Sequence, residues 1–552
     1  MSENECKPSN ILYYGDNLDV LRRHVKDESV ELVYLDPPFN SNQNYNVLFA
    51  EQNGSRAAAQ IKAFEDSWRW DQESARAYEE TVESGGRVSD VLRAFRVFLG
   101  ESDMMAYLAM MAPRLSELRR ILKSTGSIYL HCDPTASHYL KLLMDAIFGP
   151  QNFRNELIWV RTNARSTAGQ FPRLHDVILF YSKSDSYTYH SVRVSAEPGR
   201  MPHTLITGPD GLKYQTYELT APGMTRDGDS GKPWRGHDPS AMGRHWANTS
   251  RVMDEWDDRG LIHWPKGGGF PRRRAAEPFS HATRQTVVGD VWTDIDRLNQ
   301  TAKERLGYPT QKPVSLLERI LEASSAPNET VLDPFCGCGT TIAAAQALGR
   351  CWIGVDITHL AITLIRHRLR DSFGTDVEKT YRVVGEPVSV PDALVLAEQD
   401  PYQFQWWALG LVNARPVEQK KGADKGVDGR LYFHDDPRDT RTKQIILSVK
   451  SGHVTAAHLR DLRGVVEREK AEIGVLISMR EFTALMRKEA ASAGFYHSET
   501  WNRDHPRLQL LTIADLLEGK GIDYPPSRQV DRTFKKAPKP KTKRGETPKL
   551  PF

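Results

Sequence analysis

Val331-Leu332-Asp333-Pro334-Phe335-Cys336-Gly337-Cys338-Gly339-Thr340-Thr341 is the stretch that decides the fold. Its apolar start predicts a strand, its glycines a tight turn, and the residues from Thr341 through Ala345 a helix. Glycine at 337 and 339 lets the backbone approach a ligand that a Cβ would block. Further on, Cys351-Trp352-Ile353-Gly354-Val355-Asp356 predicts a second strand with an acid at its C-terminal end. An acid so placed accepts hydrogen bonds from ribose hydroxyls. The two segments together describe half of a site for a nucleoside-bearing cofactor. Two other readings fit less well. Cys336 and Cys338 have no second cysteine or histidine pair at zinc-finger spacing, and the third glycine of a dinucleotide turn is missing.

Working outward, strand and helix patterns alternate on both sides. Ile11 to Tyr14, Val30 to Leu35, Ser127 to Cys132, Leu157 to Val160 and Asp176 to Tyr181 read as strands. Apolar spacing predicts helices from about 104 to 122 and from 137 to 148. This alternation predicts an α/β fold. Residues 41–102 read as a helical insertion. Periodicity fades over 186–290, where glycine, proline, arginine and tryptophan dominate, and α/β patterning resumes over 291–385. Prolines mark 386–401 as a linker, a second α/β unit follows over 402–525, and 526–552 reads as a basic disordered tail. That tail offers either a sequence-blind phosphate contact or a solubilising end.

The chain has 552 residues, too many for one compact domain. No apolar run reaches the length of a membrane span, the first residues lack a secretory pattern, and the 5 cysteines form no disulfide framework. These features predict a reduced, cytoplasmic setting. The net charge of +3 excludes no partner by itself.

Asp36-Pro37-Pro38-Phe39 carries the second chemical signal. The lone pair of an exocyclic adenine amine is delocalised into the ring, so the nitrogen is a poor nucleophile. The Asp36 carboxylate and the Pro37 carbonyl can accept its two N–H bonds and orient that lone pair, while Phe39 offers a face to the base. The plain alternative is a strand-ending turn with a capping acid.

Taken in order, these stations resemble the beta-type amino-methyltransferases of DNA. Tyr14-Gly15-Asp16, Asp36-Pro37-Pro38-Phe39, Arg114-Leu115 leading into Gly126 to His131, the strand from His175 to Lys183, Tyr308-Pro309-Thr310-Gln311-Lys312-Pro313 and the glycine turn all match. The resemblance implies a Rossmann-like methyltransferase sheet and S-adenosylmethionine as cofactor. The cofactor would be held by Asp16, Thr310, Gln311, Lys312, Asp333, Pro334, Phe335, Gly337, Gly339, Thr340 and Asp356. It implies double-stranded DNA as partner, a target-recognition region over 186–290, a restriction system with other subunits, and homodimers as found in the family. An acid opening the catalytic motif resembles the adenine-N6 members, with cytosine-N4 as the alternative. No cysteine follows a proline, which disfavours cytosine-C5 chemistry. Arg272, Arg273 and Arg274 read either as contacts to phosphates or guanine edges or as a solvated charge run. A rival of another class is a DNA-binding protein that keeps the methyltransferase fold without activity.

Residues 402–525 resemble the Mrr-like branch of the restriction-endonuclease fold. In Gly422-Ala423-Asp424-Lys425-Gly426-Val427-Asp428 the second acid matches a divalent-metal ligand, and Lys450 on the next strand matches the lysine that supports attacking water. The resemblance therefore implies Mg²⁺ at Asp428. Ser448 departs from it, standing where the family has Glu or Gln and removing a strong ligand. Asp424 is the acid left to compensate. Cutting DNA, binding it without cutting, and a structural appendage remain three open readings.

Overall fold

In the computed structural model, two strands from distant parts of the chain lie side by side at the centre of one sheet. The structure describes residues 10–38, 70–162, 169–195, 205–225, 228–279, 285–299, 301–308, 310–417, 426–436, 442–526 and 533–540. Phe39 and Asp424 lie outside them, as do Pro309 and the first part of the insertion expected over 41–102. The described remainder of that insertion is helical, with helices Gln72–Glu83 and Gly86–Leu99.

The main sheet contains β1 (Asn10–Tyr14), β2 (Val30–Leu35), β3 (Leu122–Cys132), β4 (Phe153–Val160), β5 (His175–Ser182), β6 (Thr330–Asp333), β7 (Cys351–Asp356) and β8 (Tyr381–Val384). Among the described residues the order is Val291–Trp292, β4, β5, β3, β2, β6, β7, β1, β8. The strands from β3 through β2, β6, β7 and β1 to β8 are parallel neighbours, and β5 is antiparallel to both β3 and β4. Every residue of β2 is buried, as a central strand covered on both faces requires.

Helices flank the sheet: α1 (Asn17–His24), α2 (Asp103–Ile121), α3 (Val314–Ser324), α4 (Thr340–Ala347) and α5 (His359–Phe373). Their starts are set locally. The Asp16 side chain caps α1, Ser102 caps α2 and Thr358 caps α5. The expected α/β class and the Rossmann-like parallel sheet are what the structure has.

The prolines expected to mark a linker over 386–401 instead begin helices. Pro391 and Pro401 occupy the first turns of α6 (Val390–Gln399) and α7 (Pro401–Leu411), where a missing N–H costs nothing. Ala393, Leu396 and Ala397 of α6 are buried beside Phe404 and Trp407 of α7. Beyond lie β9 (Gly429–Phe433), β10 (Lys443–Lys450), α8 (Ala456–Arg468), β11 (Ile473–Ser478) and β12 (Leu508–Thr512), a smaller mixed sheet with its own apolar core.

Residues Ser191–Gly289 form a separate unit of short strands around Leu219, Trp234, Trp246, Met253 and Ile262. Within it the three arginines are engaged internally. Arg272 donates to Thr216 at 3.0 Å, Arg273 lies over the Trp256 ring and Arg274 over the Tyr214 ring.

The tail reading also needs correcting at 533–540. Phe534 is 3% exposed and stacks on His367 of α5 with ring centroids 4.4 Å apart. The Thr533 hydroxyl accepts the Tyr432 N–H at 3.0 Å, and the Ala537 N–H reaches Asp371 at 3.1 Å. Two apolar side chains among the lysines, Phe534 and Ala537, supply burial that composition alone concealed. Phe534→Ala should therefore destabilise the protein by about 3 kcal/mol in chemical denaturation. An unchanged midpoint would mean that the segment is not docked in solution.

Candidate active site

The glycine turn sits at the C-terminal edge of β6 and β7. The Cys336 N–H bonds to Val355 O at 3.1 Å, and the Asp333 carboxylate accepts the Phe335 N–H at 3.0 Å. Asp356 accepts the Gly337 N–H at 2.9 Å and both the N–H and the hydroxyl of Thr358 at 2.9 Å. Gly337 and Gly339 have φ of 49° and 72°. A Cβ on Gly339 would stand 2.7 Å from Ile365 Cγ1, and one on Gly337 would stand 3.0 Å from the Tyr308 ring. Both positions therefore need glycine for conformation and for space. Burial pushes the Asp333 carboxyl up to about 7 and that of Asp356 up to about 6.

Three residues that sequence reasoning did not assign hold this turn. From α5, Arg368 donates to Cys338 O at 3.1 Å and to Thr340 Oγ1 at 3.0 Å. From α1, Asn17 donates to Pro334 O at 2.9 Å. From α2, Arg114 donates to Asn17 at 2.7 Å and pairs with Asp16 at 2.7 Å. Asp16 is thus tied to a helix cap and an arginine. No local pattern marks Asn17 or Arg368, because each acts on a turn far away in the chain.

The expected catalytic segment, Asp36-Pro37-Pro38, reaches the same edge through strand pairing. β2 and β6 run parallel, with Leu32 opposite Val331 and Val33 opposite Leu332. Asp36, Pro37 and Pro38 leave β2 where Pro334 and Phe335 leave β6. The Asp36 carboxylate forms an ion pair with Lys312, both side chains being largely buried. Lys312 therefore meets Asp36, a contact that its expected place among the cofactor residues did not foresee. Gln311 braces its own loop, its side chain bonding to Glu304 O and to the Leu306 N–H, and Thr310 beside it is half-buried.

A buried chain of polar groups lies behind Asp36. The Tyr34 hydroxyl meets His131 Nδ1 at 2.9 Å, His131 Nε2 meets Asp176 at 3.3 Å, and Arg161 meets Asp176 at 3.0 Å. Burial alone would raise the Asp176 carboxyl. The His131 hydrogen bond, with Lys312 and Arg161 nearby, holds it below its ordinary range. Tyr34 lies in β2, two residues before Asp36, and that spacing is the signal by which it could have been found.

The second candidate site lies in the smaller sheet. One oxygen of Asp428 accepts the Ser448 hydroxyl at 3.0 Å and the Val449 N–H at 2.7 Å, with Lys450 Nζ at 3.4 Å. Asp428 and Lys450, which the sequence analysis paired, lie side by side. Among the described residues no group of three or more His, Cys, Asp or Glu side chains is arranged to hold a metal ion. No described helix is long and apolar enough to cross a membrane.

Comparison with known proteins finds two family patterns. Residues 30–366 match the family described as DNA methylase, and residues 403–518 match one described as NACHT-associated inactive Restriction Endonuclease 1. The Type II methyltransferase M.EcaI of Enterobacter cloacae is 28% identical over 65% of this chain and 69% of its own length. The Type III restriction-modification enzyme StyLTI Mod subunit of Salmonella typhimurium is 27% identical over 61% of this chain and 50% of its own. The DNA adenine methyltransferase YhdJ of Escherichia coli is 44% identical over 98 residues, which are 18% of this chain and 32% of YhdJ.

Burial of Asp333 has a pH signature. Its native carboxyl binds a proton more tightly than the unfolded chain does, so its stabilising contribution is complete below the ordinary value of 3.8 and is lost as pH rises through about 7. Asp333→Asn, which keeps an acceptor for Phe335, should flatten the decline of unfolding free energy in that window. The decline removed should be at most roughly 1.4 kcal/mol per pH unit. Equal slopes in the two proteins would show that Asp333 stays ionised.

Proposed function

The chain belongs to the DNA methylase family, whose pattern spans residues 30–366, and on that premise we propose that it transfers a methyl group from S-adenosylmethionine to adenine N6 in double-stranded DNA. One observation carries the reading: parallel pairing of β2 with β6 sets Asp36 beside the glycine turn. A carboxylate at the head of the catalytic motif favours adenine, and the relative YhdJ is named an adenine methyltransferase.

The turn suits a nucleoside-bearing cofactor. Tyr308 and Ile365 pack onto Gly337 and Gly339 and fix the tight turn, and Asp356 stands at the adjoining strand end. Asp333, Pro334, Phe335, Gly337, Gly339, Thr340 and Asp356 would hold the cofactor, with Asp16 and Thr310 at its edges. Bound S-adenosylmethionine supplies an electrophilic methyl and departs as a neutral thioether.

The chain's own work is positioning. The target adenine must leave the base stack to reach the site. Asp36 accepts one amine N–H and the Pro37 carbonyl the other, which turns the N6 lone pair away from both acceptors. N6 sheds one proton along its hydrogen bond to Asp36. Lys312 fixes the carboxylate, Pro38 stiffens the loop and Phe39 offers a stacking face. The buried Tyr34–His131–Asp176 chain supports the strand from which Asp36 projects. In the cell we place the protein in the cytoplasm, as the modification arm of a restriction system, working on DNA with partner subunits or a second copy of itself.

Asp36→Ala should lower methyl transfer on the order of 100-fold or more while S-adenosylmethionine still binds. Label from the methyl donor should appear as N6-methyladenine, and label found only in cytosine would replace adenine by the N4 reading. Lys312→Met should reduce kcat with little change in cofactor affinity. Loss of cofactor binding alone would return Lys312 to the cofactor group.

A further inference from the structure

The positive charge of the chain is collected in one stretch. Residues 532–552 hold eight Lys and Arg against one acid, Glu546, and so carry +7. The whole chain carries +3, which leaves −4 for residues 1–531. A body of net negative charge repels a polyanion at long range, so attraction to DNA depends on local basic surface.

Residues 533–540 of that stretch are docked on the protein. Thr533, Phe534 and Ala537 are buried, while Lys535, Lys536 and Lys539 are exposed. Phe534 shares an apolar cluster with Tyr308, with Cys338 of the glycine turn and with Leu360 and Leu364 of α5. Ser372 of α5 donates its hydroxyl to Pro538 O at 3.1 Å, and the Asp371 carboxylate accepts the Ala537 N–H. The backbone is thus held on both sides of Lys535 and Lys536. Cations nearby on the same helix and after it are neutralised: Arg366 pairs with Glu386, Arg370 with Glu378 and Lys379 with Asp376. Among the described residues, none of the three lysines forms an ion pair. An ammonium has three donors and no acceptor, so an anion or water must complete it. A backbone held in advance lowers the ordering cost of such a contact.

We propose that Lys535, Lys536 and Lys539 form a surface that grips the backbone of duplex DNA without reading its sequence. The inference rests on the DNA methyltransferase reading, which brings the duplex to the chain. From Lys535 to Lys539 the backbone spans at most roughly 14 Å. A duplex offers one phosphate charge per ~1.7 Å of its axis, so each lysine can meet one. Lysine meets a phosphate as a point charge, and phosphate contacts fix position without specifying bases.

The full chain is titrated with duplex oligonucleotides across a salt series. The triple variant Lys535→Gln, Lys536→Gln, Lys539→Gln should lower the slope of log affinity against log salt by about 2 to 3, equally for duplexes of different sequence. Its methyl transfer should keep kcat at saturating DNA and show a raised KM for DNA. A second triple variant, Lys26→Gln, Lys470→Gln, Lys488→Gln, removes the same charge from exposed sites elsewhere and should leave the slope near that of wild type. Equal slopes for wild type and the first variant overturn the proposal. An equal fall in both variants also overturns it, being an effect of net charge alone. Lost binding to phosphatidylserine vesicles with duplex affinity unchanged assigns the lysines to a lipid surface and overturns it too. Wild-type protein that shows the lysine-dependent slope yet transfers no methyl overturns the parent reading and leaves the surface standing.

Discussion

The pairing of β2 with β6 is the constraint on which the rest depends. Val33 and Leu332 are neighbours across the ladder although almost three hundred positions separate them in the chain. Closing so long a loop has an entropic cost that grows only slowly with length. The buried apolar faces of the central strands offset it. Once the ladder forms, Asp36 and the glycine turn have no freedom to be apart. Lys312 then closes the gap by joining Asp36 to the loop that precedes α3. The site is a consequence of sheet order, and its residues need no proximity in sequence.

α5 is the second organiser. Its Ile365 sets the space limit at Gly339, its Arg368 grips the carbonyl of Cys338, and its His367 receives Phe534 from the tail. Burial of His367 lowers its pKa to about 4, so at neutral pH Phe534 stacks on an uncharged ring. The smaller sheet reaches the same helix through α7. The glycine turn, the smaller sheet and the tail segment thus share one helix. A stretch that reads as a solvated basic end is thus packed on the helix that also holds the glycine turn.

Much of this was legible in the sequence. The strands from β1 to β7 follow from apolar runs, and the glycine turn from its spacing, because local backbone demands are written locally. The segments expected to be catalytic and cofactor-binding each carry their signal in adjacent residues. What escaped notice acts at a distance: Asn17 on Pro334, Arg368 on Cys338, Lys312 on Asp36. A single basic or amide side chain gives no periodic signal, so its partner is fixed only by the fold. Proline was misread for a related reason. It breaks helices in their interiors but starts them well, and Pro391 and Pro401 do the latter. The arginines 272–274 read either as nucleic-acid contacts or as a solvated charge run, and aromatic rings and a threonine within their own unit engage them.

A crystal structure of the protein with S-adenosylmethionine and a duplex bearing the methylated adenine's position bears most directly on the pairing of the two motifs. The adenine should stand outside the helix with its N6 hydrogen-bonded to Asp36 and Pro37, and with the donor methyl roughly 3–3.5 Å from that nitrogen. A cofactor bound in the glycine turn while the extrahelical base sits away from Asp36 would contradict it.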